Sequence, residues 1–549
     1  MWSKIWNSIK GVIQKLIGKK DISDALHIMP TVSNAMKDAI ELWGVMYKNQ
    51  ASWLHEPTLS NPIKIVSLGL PSFIASEKAR MATLEMVTVI TAPDTVPKDD
   101  DMHIDRNYAP KTRAEYLNMM YQLNLIPHIR RQLEYGIAKG GLVIKPYIYN
   151  KNKLGFTFCQ ADDFYPISFN SLGEMTEAAF TDIIVSDKDV YTRLEYHSFD
   201  EATRTVTVVN KAYKRFVTNT IDSAQNTNML GVEIPLTSVS KWADLAPIVT
   251  INNVDRLLFA YFKMPEANTI DSLSPLGVSA YSRAVGLIRE ADLQYSRMIW
   301  EYEGGQMAID IDIDALKTVK DNKGNLVEMP NQFQNRLYRK IDLNSEDTYE
   351  IFAPNLRDTN YNAGLNSILM RIEDTCGISR GTLSDITRSE AKTATEMLIM
   401  RQRSYSENTD IQKALQAALE DTVYVMNVYC DLYDLAPSGE YSISFTWDDS
   451  LISSPDEELQ RRLTLMNSGI ESRVNVRMWY FGETEDQARK AIEEATSEQK
   501  ERTDALSPPQ PTGQPMNQSA PTNNPANKTP KKPEDNKSNA QKNSGGKIE

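Results

Sequence analysis

Asp310, Asp312 and Asp314 alternate with isoleucines from Ala308 to Asp314. Residues two apart in a strand share a face, so the three carboxylates would project together, where a divalent cation could bind. The same alternation is also what any half-buried strand with a solvated face looks like, and no glycine-bearing calcium loop follows it. Gly136, Gly140 and Gly141 hint at a phosphate loop, but Gly-Gly-Leu-Val-Ile-Lys (140–145) lacks the Gly-Lys-Ser/Thr ending and leads into a strand rather than a helix. Asp99, Asp100 and Asp101 follow Pro97-Lys98 and read as an exposed loop. No Gly-x-Ser-x-Gly elbow occurs. Cys159, Cys376 and Cys430 are far apart, without metal or redox spacing, as are the five histidines. None of these patterns singles out a catalytic, metal or cofactor residue, and the expectation is of no enzyme and no cofactor, the alternative being a hydrolase whose pocket clusters Asp, His or Ser residues distant in sequence.

The elements that must carry these residues are dominated by one rod. Between Gly381 and Pro437 lie 55 residues without glycine or proline, in a chain that has 24 and 26 of them. Those two residues end helices, so their absence predicts one very long helix. Leu398, Tyr405, Leu415, Leu419, Val423, Met426, Cys430 and Tyr433 form its apolar stripe. Leu415, Leu419 and Met426 are the positions expected to pack against a neighbouring subunit. Thr387 with Glu390 offers a capping box, and Pro437 a stop. Arg380, Arg388 and Lys392 flank the start of this helix. On a loop facing a channel they could touch phosphates without reading sequence; otherwise they belong to an ordinary exposed loop.

Helices are expected over 21–60, with Ile40, Trp43, Met46 and Tyr47 on one face, and over Ala75–Val89 and Met119–Lys139. A short strand is expected at Ile63–Leu70. Strands follow at Leu142–Tyr149, Gly155–Cys159, Val190–Ser198, Arg204–Asn210 and Tyr213–Thr218, the period-two pattern of a half-exposed antiparallel sheet. From Pro275 to Glu303 a helix carries Tyr281, Val285, Ile288, Tyr295, Ile299 and Tyr302, with Asp292 where an apolar residue is due. Residues 306–352 are strand-like around a turn at Asp321 to Asn325, and Asn360–Cys376 returns as a helix. A strand at Glu440–Trp447 precedes helices near Asp456–Ser468, Ser472–Tyr480 and Thr484–Thr503. The fold class is therefore α+β.

Net charge is −13, and residues 507–549, with six lysines, eight prolines and three acidic residues, are positive and expected to be disordered. The body is thus more acidic than the whole, which argues against a clamp held by released counterions. Trp2, Ile5, Trp6, Ile9, Val12, Ile13, Leu16 and Ile17 share one helical face opposite Lys4, Lys10, Lys15, Lys19 and Lys20. Such a basic amphipathic helix can dock on a subunit or lie on a membrane surface, and the second option would make the chain a membrane-associated scaffold. No segment reaches the ~20 apolar residues of a membrane span.

The order of parts, and several stretches within it, resemble the portal proteins of tailed bacteriophages, in particular the siphophage type of Gram-positive hosts. Trp43-Gly44-Val45-Met46-Tyr47, Trp53-Leu54, Ser67-Leu68-Gly69-Leu70-Pro71 and Ile74-Ala75-Ser76-Glu77-Lys78-Ala79 look like the family's amino-terminal region. Ser274-Pro275-Leu276-Gly277-Val278-Ser279 looks like the approach to its stem. Cys376-Gly377-Ile378-Ser379 and Lys392-Thr393-Ala394-Thr395-Glu396 look like the approach to its long helix and the opening of it. The resemblance covers most of the chain to about residue 500. It implies helices and an α+β wing over 1–274, a stem helix over 275–303, a β-rich clip over 304–356 and a second stem helix over 357–379. It further implies a tunnel loop over 380–392, the long helix and a returning strand over 393–454, and a helical crown over 455–506. The implied protein is a ring, usually dodecameric, at one capsid vertex of the virion, through which double-stranded DNA is packaged and ejected. The partners it implies are further copies of itself, the terminase large subunit, major capsid and scaffolding proteins, and a head-completion or adaptor protein. Asp321, Lys323 and Asn325 would then sit where the clip docks terminase and adaptor, and Arg380, Arg388 and Lys392 in the tunnel loop.

Overall fold

The computed structural model describes residues 22, 25–26, 32–54, 65–84, 86–95, 108–149, 153–186, 189–216, 230–306, 308–312, 317–320, 326–329, 338–341, 349–385, 394–447 and 455–506. It divides into two compact units, one through Ser454 and one from Pro455. The amphipathic amino terminus, the Asp99–Asp101 run, the capping box at Thr387 and the carboxy-terminal tail lie outside the described residues.

In the first unit, helices α1 (Asn34–Tyr47), α2 (Leu70–Thr83), α3 (Arg113–Met120) and α4 (Ile126–Lys139) pack around one apolar core. A single π-helical turn, Tyr121–Leu125, joins the last two. Met36, Ile40, Trp43 and Met46, the predicted stripe of α1, are buried in that core. Strand β1 (Met86–Thr91) pairs antiparallel with β16 (Ser442–Trp447), so chain segments some 350 residues apart share a ladder. Strands β2 (Gly141–Tyr149), β3 (Lys153–Gln160) and β10 (Ala260–Lys263) form a three-stranded sheet. The wing sheet runs β4 (Phe164–Phe169), β5 (Met175–Ser186), β6 (Asp189–Asp200), β7 (Thr205–Phe216), β8 (Val232–Ile234), with β9 (Ile248–Asn252) also on β7. All wing pairs are antiparallel. The predicted breaks inside β7 are absent because β6 pairs with it without interruption from Asp189↔Phe216 to Asp200↔Thr205. Strands β4 and β5 had no counterpart in the sequence reading.

Helix α5 (Val285–Gly304) and helix α6 (Asp358–Cys376) pack antiparallel, the Arg357 guanidinium forking onto Glu301 where the end of one meets the start of the other. Between them lie strands β11 (Ala308–Asp312), β12 (Lys317–Lys320), β13 (Leu326–Met329), β14 (Tyr338–Ile341) and β15 (Tyr349–Phe352). Here β11 pairs parallel with β14 and antiparallel with β15.

Helix α7 (Ala394–Leu432) has 39 residues, ~58 Å at ~1.5 Å each. It is shared between two cores. Ile411, Leu415, Leu419, Val423, Met426 and Cys430 enter the main core, while Val425 packs with Val206, Val254 and Leu258 against the wing. Its far end is closed by Arg113, a 3% exposed side chain that donates to the carbonyls of Asn427, Ala436 and Pro437 and pairs with Asp431. A cation there faces the negative end of the helix dipole and ties Asn427 and Asp431 of the helix to the Ala436 and Pro437 carbonyls beyond it.

The second unit holds α8 (Pro455–Asn467), α9 (Arg473–Phe481) and α10 (Glu485–Leu506). Ser472 caps α9 by accepting from the Asn475 amide, and Gly482 ends it in the left-handed region.

Two boundary expectations fail for a common reason. Residues 65–69 form no strand, because the Val66 amide donates to Ser296 Oγ and the Leu68 amide to Asp292 Oδ1. With those amides committed to a helix, α2 starts at Leu70 and ends at Thr83, and the β-branched run Met86–Thr91 is left to pair with β16. Helix α5 likewise begins at Val285 rather than Pro275. Residues before it lie against the α4–β2 turn, with the Ala280 amide on Ile137 O and the Met264 amide on Gly140 O. Gly140 has φ of 90°, and a Cβ there would sit 2.5 Å from Gly277 O. These glycines serve close backbone contact.

Candidate functional site

Helices α5 and α6 and the loop that follows them carry the residues of greatest interest. Asp292, which interrupts the apolar stripe of α5, is 2% exposed. Its Oδ1 accepts from the Leu68 amide at 2.9 Å and its Oδ2 from Trp53 Nε1 at 3.1 Å. One turn on, Ser296 Oγ donates to Asp292 O at 2.6 Å and accepts from the Val66 amide. Burial raises the Asp292 carboxyl above its ordinary range, and the two donors only partly offset it. The break in the stripe is thus a dock for an extended segment.

Helix α6 ends at Gly377, whose φ of 62° closes the last turn in the left-handed region. Any L side chain would be strained there, and a Cβ would collide with the Glu407 carboxylate of α7. Glu407 in turn pairs at 2.7 Å with Lys78 of α2, so α2, α6 and α7 meet at this glycine. From Gly377 the chain folds back over Glu373, a residue with no exposed surface. Glu373 Oε1 accepts from the amides of Gly381 at 3.1 Å, Leu383 at 2.6 Å and Ser384 at 2.9 Å. Its Oε2 accepts from Ser384 Oγ at 2.7 Å. A buried carboxylate satisfied by several donors in this way is stable without a cation beside it. Asn366 completes the arrangement, accepting from the Asp385 amide at 2.7 Å and donating to Asp385 O at 3.0 Å.

Of the predicted tunnel-loop cations, Arg380 lies on this loop. It forks onto Asp374 at 3.0 and 2.7 Å with half its side chain exposed, and that hydrogen bonding raises its already high pKa. Arg388 and Lys392 lie outside the described residues, as do the clip positions Asp321, Lys323 and Asn325. Asp310 and Asp312 are on β11, and Asp314 lies beyond its described end. Among the described residues no group of three or more His, Cys, Asp or Glu is placed to hold a metal ion. Cys376 and Cys430 are buried thiols.

Leu415, Leu419 and Met426, expected at a subunit contact, each have no exposed surface in the single chain. They meet the chain's own core, where a neighbouring copy could reach them only if that core opened. The half-buried and exposed apolar groups of the stem lie elsewhere, with Trp300 and Tyr302 at the end of α5 and Ile351 and Leu356 beyond it.

The sequence reading missed Glu373, Asn366 and Arg113. Asn366 and Glu373 bond to residues 8 to 19 positions on, and Arg113 to residues more than 300 positions on. No local pattern encodes such pairs. Gly377 after the last apolar turn of α6 was the available signal that a loop turns back here.

A family model described as phage portal protein, SPP1 Gp6-like, matches residues 34–504. The chain belongs to the phage portal protein family. The portal match begins at the first residue of α1 and runs into α10, so it takes in both units, the stem pair, the strands between and the long helix. Among curated proteins none matches this portal chain closely enough to add a relative. No described helix is long and apolar enough to cross a membrane.

Proposed function

We propose that this portal chain assembles into a ring of about twelve subunits, closed by repeated heterologous contacts, at one vertex of the phage capsid. Double-stranded DNA passes through the ring without sequence-specific contact during packaging and ejection. The terminase large subunit, and later a head-completion or adaptor protein, dock on the clip between α5 and α6, around Asp321, Lys323 and Asn325. Major capsid and scaffolding proteins hold the ring at the capsid vertex, and assembly takes place in the host cytoplasm. Residues 380–392 form the tunnel loop, with Arg380, Arg388 and Lys392 as its cations. The family match across 34–504 carries this reading. The antiparallel stem pair leading into a 39-residue helix supports it, as does the acidic net charge, which disfavours a tight grip on phosphates.

The mass of the purified chain tests it. A ring-shaped particle near a dozen times 62.1 kDa is expected. A stable monomer would end the proposal. Flotation with anionic liposomes addresses the amphipathic amino terminus separately: the ring is expected to stay with the unbound fraction.

A further inference from the structure

We infer that Glu373 is a positioning residue, whose buried carboxylate makes the nine residues from Gly377 to Asp385 a rigid extension of stem helix α6. The inference rests on the portal reading for its functional consequence, but not for its geometry. Three consecutive features carry it. The Glu373 carboxylate accepts four hydrogen bonds, three from backbone amides and one from Ser384 Oγ, all within residues 381–384. Asn366, two turns earlier on the same helix, accepts from the Asp385 amide and donates to the Asp385 carbonyl. Asp374, next to Glu373 in the last turn of the helix, holds the Arg380 guanidinium in a fork. The loop therefore takes its shape from side chains of a single helix, and it moves where that helix moves.

The other side of the turn is held differently. Gly377 and Ile378 abut α7 and α2 through Glu407, Lys78 and a small cavity lined also by Met81, Ser404, Asn408 and Ile411. Those contacts secure the helix end, whereas the Glu373 carboxylate gathers the amides of Gly381, Leu383 and Ser384 in the interior of the loop. In a portal, this makes the position of the loop against DNA a property of the stem. A displacement of α6 reaches Arg380 and the exit at Asp385 without being absorbed between them.

Hydrogen exchange on the full-length assembled chain tests this. In Glu373→Ala, amides of Gly381, Leu383 and Ser384 are expected to exchange on the order of tenfold faster or more, with α6, α7 and particle mass unchanged. Glu373→Gln, which keeps the acceptor facing the amides, is expected to give a smaller acceleration, and Ser384→Ala a smaller one again. Procapsids built with Glu373→Ala are expected to package DNA several-fold more slowly, with Glu373→Gln partly restoring the rate. Unchanged exchange in the loop for all three variants would overturn the inference. So would unchanged packaging alongside a loosened loop, or loss of protection spreading through α6 and α7 in the two milder variants. A wild-type chain that forms no ring would sink the portal reading, yet the exchange comparison would still decide whether Glu373 holds the loop.

Discussion

The wing and the stem both bury carboxylates, and they neutralise them in opposite ways. In the wing, Glu195 of β6 meets Lys145 of β2 at 2.7 Å, Arg193 at 2.9 Å and His197 Nε2 at 2.6 Å. Burial alone would raise its pKa, but Lys145, then His197 and Arg193, hold it well below the usual carboxylate range. Burial keeps His197 neutral by lowering its own pKa. A carboxylate only accepts, so Nε2 carries the proton, and Nδ1 is left without a partner against the Phe180 and Phe259 rings. In the stem, Asp292 and Glu373 take hydrogen bonds from backbone amides, an indole and a hydroxyl. The wing uses charge to bolt one sheet to another. The stem uses carboxylates as templates for segments with no regular structure of their own. Ionic bolts are costly to break halfway, because a lone charge stays buried; templates fail locally, by releasing what they hold.

The largest effect should come where the two regions share an element. Leu419→Asp places an unpaired charge in the core that α7 contributes to the main body, and several kcal/mol should be lost. No soluble folded chain is the expected result; a folded variant by circular dichroism would show that the core tolerates charge. Next, Glu195→Ala leaves the half-buried Lys145 and Arg193 without that carboxylate and should cost about 2–4 kcal/mol in denaturant unfolding. A loss below 1 kcal/mol would erase the contrast drawn here. Asp292→Asn sets an amide donor against one of two N–H groups and should cost about 1–3 kcal/mol. Exchange should quicken chiefly at 65–69, as a template predicts and a bolt does not.

The smallest effect concerns pH. Glu266, in the approach to the stem, is pushed up to about 7 by burial, with Lys78 and Arg283 opposing and the Glu407 charge reinforcing that rise. A carboxyl whose folded pKa exceeds its unfolded value binds more protons in the folded state. Stability should therefore fall as pH rises from about 4.5 to about 7 and stay reduced above that. Glu266→Gln should stabilise the chain by about 1–2 kcal/mol at pH 8 and by nothing measurable near pH 4. An equal gain at both values would place the origin elsewhere.

Much of this was legible in the chain. The glycine- and proline-free run gave α7, Gly140-Gly141 gave the end of α4, and the alternation in Thr205–Val208 gave part of the wing sheet. Less legible were residues 65–69, where the Val66 and Leu68 amides go to Ser296 and Asp292, and the stretch before Val285, where the Ala280 amide goes to Ile137 O. The Asp292 anomaly was visible, but the indole and amide that explain it lie 239 and 224 residues away.

The sequence by itself determined the elements, because helix breakers, periodicity and turn residues act over a few neighbouring positions. It also carried the family, since the order of those elements is written along the chain. Only the tertiary structure decided what each polar residue in an apolar stripe is for, and which core a long helix serves. Those answers depend on donors brought close by folding. Burial multiplies the cost of leaving a carboxylate unsatisfied, and so selects partners that no local spacing specifies.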